Sequence, residues 1–359
     1  MSVQISYKKQ VLVGFILLLI LLVAIEISLR VYDHYYPTCN LLKSEVYEKI
    51  NFELKRDICN SNDRLIKNMD PLYILPNQQL QTININSEGF RGGELQDNPD
   101  YRIFFVGGST AFGVGSTSDN TTISGYLQKI FSNSYPRYNI EVVNVGIPNA
   151  YSFTEQNLIK AKLLSYDPDL LIIYDGYNDV ERDYDYFFES VDYKSFDSII
   201  RLMMKSSYET PIVIWKLYNM HKYDTTDVIK FNPDNIDDKV LAWKNIWLDV
   251  CSMQNEYGFK AVITLQSLVG SGNKSLTLEE KYHYKHHDQE KKLQYYELYG
   301  YALSELNGIC SGTIDLRNVF DSHSETIYYD QGHVGDNGNK IIAERMYNDI
   351  LPLIINDLK

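Results

Sequence analysis

From residue 101 onward, short apolar runs rich in β-branched residues alternate with stretches of helical period, and no other feature constrains the fold as strongly. The apolar runs are 102–106, 141–145, 170–174, 260–265 and 313–316. The helical stretches are 123–131, 154–164, 238–256, 278–306 and 339–351. Strands that are apolar throughout need cover on both faces, so the pattern predicts an α/β fold in which a five-stranded parallel sheet is doubly wound. In the last helical stretch Ile342, Met346 and Ile350 recur at helical spacing. Pro352, which has no N–H to give, is expected to end it.

The amino-terminal end follows a different rule. Residues 11–25 are an unbroken apolar run of 15, and only Glu26 and Ser28 interrupt its continuation to Leu29. At 1.5 Å per residue, positions 11–29 reach about 28 Å, close to the thickness of a bilayer's hydrocarbon core. Lys8 and Lys9 precede the run, so residues 1–10 are expected in the cytoplasm, 11–29 as a single-pass transmembrane anchor, and the rest outside. A cleaved signal peptide shares the basic start and apolar stretch, but no small-x-small pattern lies around residues 24–28. Residues 30–83 are polar and punctuated by Pro37, Pro71 and Pro76, which reads as a stalk and lead-in segment. Residues 84–359 then form the main domain, with an insertion at about 180–240.

Composition narrows the partners. Lys+Arg 34 against Asp+Glu 47 gives a net charge of −13, which repels a phosphate backbone and argues against nucleic acid. The 30 tyrosines serve equally as sugar-stacking surface or as interior packing. Cys39, Cys59, Cys251 and Cys310 form no metal-binding pair at C-x-x-C spacing. Two disulfides suit an oxidising compartment, and the short loop from Cys39 to Cys59 favours that pair, leaving Cys251 with Cys310; buried free thiols are the other reading.

Ligands of open parallel sheets bind beyond the carboxyl ends of the strands. After the first apolar run stands Gly107-Gly108-Ser109-Thr110-Ala111-Phe112-Gly113, a serine flanked by glycines at a strand-to-helix turn. It is not a phosphate loop, because no Gly-Lys-Ser/Thr follows, and its glycine spacing does not fit dinucleotide binding. The second run ends in Asn144-Val145-Gly146, and the third in Asp175-Gly176-Tyr177-Asn178-Asp179. Asp330-Gln331-Gly332-His333 precedes the last helix. A nucleophilic serine needs a base, the base needs an orienting acceptor, and the developing oxyanion needs donors. Each has a candidate on this edge.

These four blocks, in this order across about residues 84–350, resemble the SGNH hydrolase family, also called the GDSL-type esterase/lipase superfamily. The resemblance implies a flavodoxin-like three-layer α/β/α sandwich with Ser109 as nucleophile, His333 as general base and acid, and Asp330 as its orienting partner. It also implies an oxyanion hole from the N–H groups of Ser109 and Gly146 and the side-chain amide of Asn178. Gly108 and Thr110 replace the usual aspartate and leucine, which is similar to the Gly-Gly-Ser-Thr subgroup. Residues 86–92 resemble a segment of bacterial and archaeal surface-glycan members. The expected activity is that of a membrane-anchored extracytoplasmic serine esterase that removes O-acyl groups from glycans or lipid-linked carbohydrate through an acyl-serine, with no metal or organic cofactor. An O-acyltransferase acting on surface polysaccharide with the same triad, and a non-catalytic glycan-binding module, are the alternatives.

Other candidates have plainer readings. His283 and His287 stand at i, i+4 spacing with His286 between them, but no Glu follows His283 in the zincin arrangement, so a solvated helix face is expected. His323 lacks an Asp three residues before it and reads as a loop residue, while Asp179 is expected to bond its local turn. The aromatic and acidic tract 183–189 suits either a lid or sugar-stacking wall, or a surface helical hairpin.

Overall fold

The computed structural model describes residues 6–35, 39–69, 72–181, 235–286 and 288–358. The chain divides into two compact units, one of Met1–Cys39 with Asp192–Val228 and the other of Asn40–Val191 with Ile229–Lys359. In the first unit the described element is helix α1, Tyr7–Tyr35, whose apolar side chains are exposed all round. It is long and apolar enough to cross a membrane. The expected insertion at 180–240 and its aromatic tract 183–189 fall almost wholly outside the described residues.

The second unit is built on a parallel sheet of five strands: β1 (Tyr101–Gly107), β2 (Ile140–Asn144), β3 (Leu170–Asp175), β4 (Lys260–Leu265) and β5 (Gly312–Asp315). They lie in the order β2-β1-β3-β4-β5, every neighbouring pair parallel. The α/β class and five-stranded parallel sheet are therefore as the alternation implied. Side chains alternate across the pleat, so Phe104 and Val106 of β1 enter one buried cluster while Ile103 and Phe105 enter the other. The first cluster is closed by α3 (Ser152–Ala161), α4 (Ile236–Ser252) and α5 (Gln289–Glu305), and the second by α2 (Ile123–Ser134) and α6 (Asp336–Asp357). Strand order reverses between β1 and β3, and a crevice opens at their carboxyl ends in such a topology.

Three features differ from the sequence reading. The stretch 278–306 is two helices, Leu278–Lys285 and α5, separated where Asp288 takes a left-handed φ of 54°, a conformation aspartate tolerates better than most residues. Helix α6 passes through Pro352 and continues to Asp357. Pro352 sits on its exposed side, while Ile354 extends the stripe of Ile342, Met346 and Ile350 into the core, and that burial outweighs the one missing backbone bond. Of residues 30–83, expected as a stalk and lead-in segment, the described ones from Asn40 on pack into the second unit: Leu41, Tyr47, Ile58, Ile74 and Ile83 are all buried. Their polar composition conceals a helix, Phe52–Arg64, that hides one narrow apolar stripe and is capped by Asn51, whose side chain accepts the Leu54 N–H at 2.8 Å. All four cysteines are in disulfide form, Cys251 with Cys310.

Candidate active site

The nucleophile turn follows from backbone crowding at the end of β1. Gly107 has φ +155°, and a β-carbon there would lie 2.3 Å from the Tyr174 carbonyl oxygen of the neighbouring strand. Ser109 then opens a single helical turn, Ser109–Phe112, and so occupies a first-turn position whose N–H has no intrahelical acceptor. The far end of that turn is held by Arg91, a buried guanidinium that donates to the carbonyls of Phe112 (3.0 Å) and Gly113 (2.8 Å) and pairs with Asp119 at 2.8 Å. Residues 86–92, noted above only as a resembling segment, thus deliver the residue that fastens the turn.

Against this turn the loop before α6 brings the imidazole. His333 Nε2 lies 2.7 Å from Ser109 Oγ, and Nδ1 lies 2.8 Å from Asp330 Oδ2 and 3.0 Å from Oδ1. Asp330 Oδ1 also accepts the N–H groups of Gly332 (2.9 Å) and His333 (2.7 Å), so the same carboxylate shapes the loop and faces the ring. Burial pushes the Asp330 carboxyl up, but the charge and hydrogen bonds of His333, with the two loop N–H groups, outweigh it and hold the group down at about 2. Burial likewise lowers His333, while the Asp330 charge and hydrogen bond, with Glu181 further off, raise it above the ordinary histidine value. With Asp330 ionised, the hydrogen-bond network assigns the neutral ring's proton to Nδ1 and leaves the Nε2 lone pair facing the serine hydroxyl. Such an arrangement can remove the serine proton and return it to a leaving group.

Of the three expected oxyanion donors, the structure brings two to the turn. Ser109 presents its own N–H there. Asn178 lies against it, since a β-carbon on Gly108 would come within 2.6 Å of Asn178 Nδ2. One hydrogen of that amide goes to the Ala150 carbonyl at 2.6 Å, and the other remains for a ligand.

Gly146 differs from expectation. Its N–H is committed to Asn144 Oδ1 at 3.0 Å, and Asn144 Nδ2 in turn donates to the carbonyls of Ala111 and Phe112 at 3.1 and 3.2 Å. A β-carbon on Gly146 would sit 2.3 Å from the Phe112 nitrogen, so the glycine allows the nucleophile turn to pack on the β2 loop. It supplies close approach at this point.

The remaining candidates lie elsewhere. Asp179 is fully buried and accepts the Ser152 N–H at 3.2 Å and the Ser152 hydroxyl, which holds the start of α3. It shares the core with Asp175 and Glu155, two carboxyls that burial drives well above their ordinary range. His283 is 3.7 Å from Glu279, His286 stacks on Tyr282 at 3.8 Å, and His287 lies outside the described residues. His323 contacts Glu325 at 3.2 Å.

No protein-family model and no curated protein matches the chain. Among solved structures it is similar to an acetylxylan esterase from Geobacillus stearothermophilus, at 15% identity over 71% of this chain and 96% of that one, with a TM-score of 0.42. A second acetyl xylan esterase matches at 15% identity over 69% and 98%, with a TM-score of 0.42. An alpha/beta hydrolase enzyme from the metagenome of Lake Arreo, Spain, matches at 12% over 69% and 94%, also with a TM-score of 0.42.

Proposed function

We propose that the chain is a serine hydrolase of carboxylic esters, with Ser109 as nucleophile, His333 as general base and then acid, and Asp330 as the partner that orients the imidazole. The observation that carries this reading is the imidazole of His333 held between Asp330 at 2.8 Å and the Ser109 hydroxyl at 2.7 Å. Ser109 Oγ attacks the ester carbonyl as its proton passes to His333 Nε2. The tetrahedral oxyanion is held by the Ser109 N–H and Asn178 Nδ2. His333 then protonates the departing alcohol, and water, activated by the same ring, releases the acid from the acyl-serine.

The substrate class is an O-acylated glycan or lipid-linked carbohydrate outside the cytoplasm. Its supports are the resemblance of residues 86–92 and the apolar run of α1 from Val11 on, which comes after Lys8 and Lys9 in the orientation that keeps positive charge inside. The test is an acid-release screen of the detergent-solubilised full chain against short and long acyl esters and acetylated sugars. Hydrolysis by wild type and none by Ser109→Ala is expected. Acyl transfer to an added glycan without free acid would replace hydrolase by transferase, and inert wild type would overturn both.

A further inference from the structure

Directly after residue 39 the chain makes a short turn that closes over the base loop. Ser44 Oγ donates to Glu279 Oε1 at 2.5 Å, and the Glu45 N–H donates to Oε2 of the same carboxylate at 2.7 Å. Val46 packs so tightly on Gly335, at the start of α6, that a β-carbon on that glycine would lie 2.3 Å from it. Tyr47, 2% exposed, then reaches inward.

The inward end of Tyr47 meets both halves of the site. Its hydroxyl donates to the Gly115 carbonyl at 2.7 Å, and the Tyr329 hydroxyl donates to the adjacent Val114 carbonyl at 2.8 Å. Gly115 and Val114 follow the nucleophile turn, and the Val114 N–H is itself bonded to the Ser109 carbonyl at 3.0 Å. The ring of Tyr47 is 5.6 Å from that of Tyr329, which lies nearly parallel to the His333 imidazole, at 17° and 5.7 Å. The two tyrosines therefore lie in series, from residue 47 through residue 329 to the base, and each is tied by its hydroxyl to the serine's own segment.

We infer that Tyr47 is a positioning residue, which fixes the His333 ring against Ser109 through Tyr329 and makes residues 44–47 part of the active site. This role rests on the serine hydrolase reading above. Removing the Tyr47 ring leaves Tyr329 free to tilt and the imidazole free to swing off the serine hydroxyl, while neither Asn178 nor the Ser109 side chain loses a direct contact. A misplacement of about 1 Å at a reacting atom costs on the order of 10²-fold in rate, so the loss falls on kcat and not on KM.

The test uses the full chain in detergent, with kcat and KM measured on an acetyl ester, fluorophosphonate labelling of Ser109, and thermal melts to establish folding. Tyr47→Ala is expected to lower kcat by about 10- to 100-fold with KM within about twofold. Tyr47→Phe, which keeps the ring, is expected to restore kcat to within about threefold. A folded Tyr47→Ala or Tyr47→Leu with wild-type kcat overturns the positioning role alone, because wild-type labelling still upholds the hydrolase. So does failure of both Tyr47→Ala and Tyr47→Leu to fold, which leaves a role in stability only. A wild-type chain that neither labels nor turns over overturns the hydrolase reading, and the positioning role falls with it.

Discussion

Ser109 and His333 meet at 2.7 Å, yet the two sides of that contact are held in different ways. The serine side is fixed at the ends of β1 and β2 and by one residue from the segment before β1: Gly107 bends the backbone, Gly146 lets the turn pack closely, and Asn144 and Arg91 donate to its carbonyls. The histidine side is a loop whose supports come from far along the chain. Glu280 accepts the Ile327 N–H at 3.0 Å, Val46 packs on Gly335, and Tyr329 is tied to Val114 at 2.8 Å. On the serine side backbone crowding is added to two buried side-chain donors, whereas the loop of His333 leans on side chains from distant segments. Mutations on the serine side should therefore clash, whereas mutations on the histidine side should loosen.

The largest test of that contrast is Asp330→Asn. An amide oxygen can still accept the two loop N–H groups, but the charge that supports an imidazolium is gone, and kcat should fall on the order of 10³- to 10⁴-fold. Steady-state rates with an unchanged melt would check it, and a loss under tenfold would break the assigned role. Asn178→Ala on the serine side removes one oxyanion donor and should lower kcat about 10²- to 10³-fold with the base untouched. The pH profile should show this directly, by keeping the wild-type acid limb at reduced height.

Gly146→Ala sharpens the contrast through stability. The added methyl must displace the Phe112 backbone from 2.3 Å, and the cost should be about 1–3 kcal/mol or more by denaturant unfolding. A neutral result would show the turn to be looser than its packing indicates. The smallest effect is on pH. The raised pKa of His333 shifts the appearance of its neutral, proton-accepting form to higher pH, so the acid limb of kcat/KM should lie above that of an ordinary histidine. Asp330→Asn removes the charge that raises it, and the residual acid limb should move downward.

How much of this was legible in the sequence follows the same division. The sheet was readable because its central strands are mostly apolar and buried, and each expected run lies within a residue or two of the observed strand. The contact among Ser109, Asp330 and His333 was expected from four blocks whose order resembles a known family, each block being weak alone, and the structure brings those three side chains within hydrogen-bond distance. For Gly146 the coordinates add that Asn144 Oδ1 accepts its N–H, a contact no sequence pattern announces. The supports of the base loop left no local pattern: Tyr47 is one of 30 tyrosines, in a segment whose polarity suggested a stalk. The break at Asp288 and the passage through Pro352 were hidden likewise, because both depend on which face a helix buries.

The central claim is that Ser109 is made nucleophilic by His333, and covalent labelling tests it most directly. The full chain is treated with a fluorophosphonate and the adduct is mapped by mass spectrometry after digestion. A single adduct on Ser109, lost in Ser109→Ala and slowed strongly in His333→Ala, is the expected result. Folded wild-type protein that takes up no label at Ser109, or that labels equally fast without the imidazole, would contradict the account.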